Sequence, residues 1–281
     1  MDSIVNLISD IEQAENINLI LYICNDHSSK RIDGSDYFNL YNCLKSNEFD
    51  SKRETFLVIH TYGGNISATV RFIETLQEYF QRFNVFVPYK AMSSGTLICL
   101  ASSRLLLGRL AELGPLDPQI SSESIQTNVP SIISSADIKS YINMSREWFG
   151  VNPDQSIEIL NQIVTHIFPT TLSYFYRAEK YILGKIVEYL QINNVDMTID
   201  RAFEIANSLV NGYHTHNHAI TRTEALKIGL DIEYPNDKLE RTLTELVDLV
   251  QGFMRKAMTN ESMGFIDSVI GTSSILVCNT H

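Results

Sequence analysis

The stretch TFLVIHTYGGNISATVRFIETL runs from Thr55 to Leu76. Its first part, Thr55–His60, is a short apolar run of strand type. TYGGN then breaks the strand, because a Gly-Gly pair punctuates regular structure. From Ile66 to Phe83 the apolar residues Ile66, Val70, Ile73, Leu76, Phe80 and Phe83 fall on one helical stripe. A strand, a glycine turn and an amphipathic helix in that order are the building block of an α/β sheet.

The flanking sequence repeats the pattern. Upstream, Ile17–Cys24 (INLILYIC) is nearly continuous in apolar residues, as a strand covered on both faces must be. Asp36–Leu44 has helix spacing. Downstream come a strand at Val85–Val87 closed by Pro88, a buried helix at Gly95–Ala101 and a strand at Leu105–Leu107. This alternation predicts an α/β fold with largely parallel pairing. Ser121–Ser135 is Ser-rich, contains Pro130 and reads as a loop or mobile segment. Helical patterning then runs from Ala136 to about Leu209 with a break at Pro169, and resumes over Thr223–Ile228 and Asp237–Met258. The expected organisation is one domain over residues 1–281, with its core at about 17–249 and a C-terminal tail at 250–281.

Composition narrows the function. The 281 residues carry 22 Lys+Arg against 33 Asp+Glu, a net charge of −11, so nothing favours nucleic acid or an anionic membrane surface as partner. Hydrophobic residues at 44% and charged residues at 20% are ordinary globular usage. Cys24, Cys43, Cys99 and Cys278 form no CxxC pair, so a zinc knuckle is not expected. The N-terminus places acids where a signal peptide needs basic residues, and no apolar run reaches the length of a membrane span. The expectation is a cytoplasmic protein with no membrane span.

Three segments carry residues suited to chemistry. HTYGGN (His60–Asn65) lies between a strand and a helix, where glycine amides are free to face an anionic oxygen; it also suits a plain tight turn. AMSSGT (Ala91–Thr96) puts serines on a strand-to-helix turn, where a hydroxyl is exposed and the next amide faces a developing oxyanion; a helix N-cap uses the same residue. HTHNHAI (His214–Ile220) holds three of the seven histidines within five residues. Histidine accepts a proton near neutral pH. On a strand, His214, His216 and His218 would share a face, which suits a metal or a polar surface equally.

Taken together, LVIHTYGGNISATVRFIETL, VPYKAMSSGTLICLASSRLLLG, AELGPLDPQI, THIFPTTLSYFYRAEK and HTHNHAITRTEALKIGLDIEYP resemble the serine dehydrogenase proteinase family. That family belongs to the Clp-protease/crotonase superfamily and is related to signal peptide peptidase A. The resemblance covers roughly Ile17 to Leu249. It implies a Clp/crotonase-like spiral of βαβ units with a helical extension, a homo-oligomer, a protein or peptide substrate, and no cofactor. Ser93 matches the serine of the family's SAGT and would be the nucleophile. Gly63 and Gly64 match HTPGG and would give one arm of an oxyanion hole, with the Ser94 amide as the other. For the base, His216 matches the histidine of THDxPI and is preferred. Asp117, in LGPLDPQ, would position a partner or cap a turn. The peptidase A relatives use a downstream lysine instead, and Lys139 stands 139 − 93 = 46 residues after Ser93; a lysine base must be desolvated. His166 and His60 read as structural, His60 by holding the Gly-Gly turn through a backbone hydrogen bond.

The chain departs from the family pattern at Tyr62 for Pro, Ser94 for Ala, Ser102–Arg104 for an acidic pair, Asn217 for Asp and Ala219 for Pro. If the missing Asp oriented the histidine, Asn217 would hold it less well. Two other readings follow: an inactive oligomerisation or binding module on the same fold, and a crotonase-like acyl-CoA enzyme.

Overall fold

A computed structural model describes residues 1–121, 132–259 and 265–280. In chain order the elements are α1 (Asp2–Glu15), β1 (Ile17–Cys24), α2 (Gly34–Lys45), β2 (Glu54–His60), α3 (Ile66–Tyr79), β3 (Asn84–Val87), β4 (Lys90–Ala91), α4 (Ser94–Leu100), β5 (Leu105–Leu107) and β6 (Glu112–Leu113). They continue with β7 (Gln119–Ser121), β8 (Ile132–Ser134), α5 (Ser135–Phe149), α6 (Ser156–His166), α7 (Pro169–Asn193), α8 (Ile199–Asn211), α9 (Arg222–Ile228), α10 (Asp237–Met258), β9 (Ile266–Gly271) and β10 (Leu276–Thr280). The chain divides into two compact units. The first comprises Met1–Gly114, Ile192–Val195 and Ala219–His281; the second comprises Pro115–Gln191 and Asp196–His218.

The first unit is built on a sheet of order β10-β9-β1-β2-β3-β5. β1, β2, β3 and β5 pair in parallel, as the strand-helix alternation predicts. Every residue of β1 is buried, which explains its unbroken apolar run. On one face, Leu19, Leu21, Phe56, Val58 and Phe86 pack with Ile4, Ile8 and Ile11 of α1 and with Leu243, Leu246, Val250 and Met254 of α10. Burying each such side chain contributes roughly 1.5–3 kcal/mol. On the other face, Tyr22 of β1 meets Phe72 of α3 with ring centroids 5.1 Å apart.

The structure corrects the sequence reading in three places here. The expected tail is not a tail: α10 runs on to Met258, and β9 and β10 add antiparallel strands to the sheet, β9 against β1. The stretch FIDSVIG offers no alternation because β9 is buried throughout. The helix expected to reach Phe83 ends at Tyr79, and Phe80 is extended. At the Ser-rich stretch, Gln119–Ser121 and Ile132–Ser134 pair as antiparallel strands, while residues 122–131 lie outside the described residues.

The second unit is mainly helical. Ser134 opens α5 with a reciprocal cap, its hydroxyl accepting from Asp137 N–H, and Gly150 closes it at φ 65°. The expected break at Pro169 falls between α6 and α7, since Pro tolerates only the first turn of a helix. α8 buries Ala202, Ile205, Ala206, Leu209 and Val210 along one stripe.

Candidate active site

In the first unit β2 is followed directly by Thr61, whose N–H donates to Lys90 O at 2.9 Å and whose carbonyl accepts from Met92 N–H at 3.0 Å. These bonds bring the Gly63-Gly64 turn beside the Ser93-Ser94 turn, although thirty residues separate them in sequence. The approach is close. A methyl group on Gly63 would stand 2.6 Å from Met92 O, 2.7 Å from Ser93 Cβ and 3.0 Å from Ser94 N. Gly63 also has φ 83°, a left-handed conformation that glycine adopts without penalty. A methyl on Gly64 would overlap the backbone of Ile32. Both glycines are therefore required by sterics.

Ser93 is half-buried and has φ 51°, ψ −124°. A non-glycine residue there carries strain of roughly 1–3 kcal/mol and persists only where its surroundings enforce it. Those surroundings are visible. Thr96 Oγ1, fully buried, lies 2.8 Å from the carbonyls of both Ala91 and Gly114, and it accepts Gly114 N–H at 3.0 Å. A methyl on Gly114 would come 2.8 Å from Ser93 N. Ser93 precedes α4 in the N-cap position, yet its side chain makes no capping bond. The capping role weighed from sequence is not the one its hydroxyl plays. Among the described residues, the amides of Gly64 and Ser94 have no hydrogen-bond acceptor, whereas Gly63 N–H donates to Thr61 Oγ1 at 3.2 Å. Two unpaired amides beside a strained serine can hold a negative oxygen.

In the second unit His216 Nδ1 is hydrogen-bonded to Asp117 Oδ1. Asp117 is buried, with a side chain 3% exposed, and its Oδ2 is buried without a partner among the described residues. A buried carboxyl on Nδ1 fixes the ring and leaves Nε2 for proton transfer. The orienting group of His216 is thus Asp117, ninety-nine residues away, and the Asn at 217 does not occupy that role. HTHNHAI is not the strand on which its histidines would share a face. Thr215–His218 is a turn closed by His218 N–H to Thr215 O at 3.2 Å, so the three histidines do not share a strand face. His218 stacks on Tyr213 at 4.4 Å. Among the described residues, no three His, Cys, Asp or Glu side chains converge as metal ligands.

Lys139, the alternative base, is ion-paired to Glu179 and donates to Asn211 Oδ1 at 2.7 Å, with its side chain 46% exposed. It has none of the dry surroundings a lysine base requires. His60 is corrected as well. It does not hold the glycine turn; its Nε2 lies 2.8 Å from Asp26 Oδ1, which also accepts from Tyr62 O–H at 3.0 Å. The His60 bond holds the Asp26 carboxyl below its ordinary value of 3.8, and burial, with the Asp26 bond second, pushes the Tyr62 phenol up to about 12. Sequence reading missed Thr61, Thr69, Thr96 and Asp26. Only Thr69, one turn after Asn65, had a local signal: a threonine at that spacing reaches back to a helix-start carbonyl.

A parallel α/β core with a glycine turn packed on a strained serine and a helical second unit defines a ClpP-like serine-proteinase architecture. The family model described as ClpP-like SDH-type serine proteinase matches residues 31–268, and the chain belongs to that family. It is similar to the uncharacterized protein MJ0137 of Methanocaldococcus jannaschii, at 30% identity over 190 residues, 68% of this chain and 57% of the relative. The chain thus spans little more than half the length of that relative. Among solved structures it is similar to the 1510-N membrane-bound stomatin-specific protease (17% identity, 75% of this chain and 79% of that one, TM-score 0.45). It is also similar to ClpP1 of Listeria monocytogenes (12% identity, 82% and 98%, TM-score 0.41). No helix among the described residues is long and apolar enough to cross a membrane.

Proposed function

We propose that the protein is a serine peptidase acting on protein or peptide substrates, with Ser93 as nucleophile. The observation that carries this reading is the left-handed backbone of Ser93, enforced by Gly63, Thr96 and Gly114, beside the unpaired amides of Gly64 and Ser94. In the reaction, Ser93 Oγ attacks the scissile carbonyl carbon and gives its proton to a general base, the role proposed for His216 on its match to the family's histidine. The carbonyl oxygen becomes an oxyanion that accepts from the Gly64 and Ser94 amides, each contributing roughly 3–4 kcal/mol to the barrier reduction. That base then returns the proton to the leaving amine. Water, deprotonated by the same imidazole, releases the acyl group from Ser93. Asp117 keeps the proton on Nδ1 throughout. The membership in a serine-proteinase family supports the reaction class.

A homo-oligomer goes with this reading. It is supported by apolar exposure on the second unit, where Trp148 is 74% exposed, Phe149 71% and Phe168 76%. Such side chains seek cover.

A fluorophosphonate probe tests the nucleophile. The wild type is expected to become covalently labelled and Ser93→Ala to stay unlabelled. Equal labelling of the two, or none of the wild type in any assembly state, refutes the assignment.

A further inference from the structure

We infer that the hydroxyls of Thr69 and Ser94 form a positioning pair that sets the spacing between the two oxyanion amides. The inference rests on the reading of Ser93 as nucleophile. It starts from Ser94, the residue that follows the nucleophile. Its hydroxyl is wholly buried, so it needs a partner. It finds Thr69 Oγ1 at 3.0 Å. Thr69, also wholly buried, stands 2.9 Å from the carbonyl of Asn65. Each hydroxyl has one proton to give. Both protons are used when Thr69 O–H donates to Asn65 O and Ser94 O–H donates to Thr69 Oγ1.

The ends of this relay are what give it consequence. Asn65 follows Gly64 directly, and Ser94 carries the other amide in its own backbone. Asn65 is itself immobilised: its N–H donates to Ile32 O at 2.8 Å and its side chain caps α3 by accepting from Ala68 N–H at 2.9 Å. The relay therefore ties a fixed point next to the first amide to the residue that bears the second. An oxyanion needs both donors at about 2.7–3.1 Å at once, so a small change in their separation weakens both contacts. Thr69 and the Ser94 side chain touch no reacting atom in this scheme. They act through the backbone.

The test is the second-order rate of fluorophosphonate labelling, since the phosphonyl oxygen occupies the oxyanion position, read beside the melting temperature. The variants are Ser94→Ala, Thr69→Val, both together, and Thr69→Ser, with Ser93→Ala as the blank. The expected result is a loss of about 3–10-fold in Ser94→Ala and in Thr69→Val, with the double variant no slower than the slower single one. Thr69→Ser keeps the hydroxyl and is expected to retain the wild-type rate. If Thr69→Val does not fold, Ser94→Ala and the Thr69→Ser rescue carry the test. Wild-type labelling with unchanged rates in Ser94→Ala overturns the pair and leaves the nucleophile standing. Multiplying losses in the double variant overturn it as well. Absence of wild-type labelling overturns both.

Discussion

At the residue scale, the most informative feature is one that alters the meaning of a substitution. Read along the chain, Asn217 removes a carboxylate from beside the candidate histidine and argues for a weakened or inactive site. In space the carboxyl partner of His216 is Asp117, which is intact. The consequence is specific. Asp117→Asn keeps the shape but offers the ring an amide in place of a carboxylate, favouring the wrong tautomer. The fluorophosphonate labelling rate is expected to fall by about 10²–10⁴-fold, with little change in melting temperature. A variant that labels at the wild-type rate would remove Asp117 and His216 from the scheme together. Ser93, Gly63 and Gly64 were legible as candidates because their turns are local motifs that recur in the order of the family they resemble, each alone being an ordinary turn or cap. Asp117 was legible only as a proline-flanked aspartate, since nothing near it in sequence names its partner.

At the element scale, the strand ends do the positioning. β1 and β2 run in parallel, so their C-terminal ends bring Asp26 and His60 side by side. Tyr62, where the family pattern has proline, donates to the same carboxyl oxygen. Asp26 is held below its ordinary 3.8, chiefly by the His60 bond. A carboxyl lowered on folding stabilises the native state above its unfolded value, and that stability is lost as pH falls through the lower folded value. Melting temperature measured from pH 6 down to pH 2 is therefore expected to drop less steeply in Asp26→Asn than in the wild type. Because Asp26 is half-exposed, the difference is a modest one. Parallel curves for the two proteins would show that the clasp does not form. The helices α3 and α10 were readable from their stripes, and α10 matches its expected range Asp237–Met258 residue for residue. β9 was not, because Asp267 and Ser268 interrupt its apolar run although both are buried in the fold.

At the scale of the whole molecule, the prediction concerns assembly. At the end of α5 the adjacent Trp148 and Phe149 are both largely exposed, a pair of large apolar side chains that a contact between copies would cover. Sedimentation is expected to show a concentration-dependent homo-oligomer that Trp148→Glu with Phe149→Glu shifts toward the monomer. A wild-type monomer at all concentrations would exclude the homo-oligomer. The buried thiols fit their sequence reading as small apolar residues: burial pushes Cys24 up to about 11 and raises Cys99 further.

The α/β class, the parallel core and the two turns are written in the local order of residues, because periodicity, glycine pairs and a strand-ending proline act over a few residues. Tertiary structure alone decided what those turns face. It packed Gly63 on Ser93, took Gly63 N–H away into Thr61, joined Ser94 to Thr69, and gave His216 to Asp117. The physical reason is that hydrogen bonds between buried polar groups are matched across the fold, by the requirement that each donor find an acceptor once water is excluded. That requirement leaves no mark on the local spacing of residues.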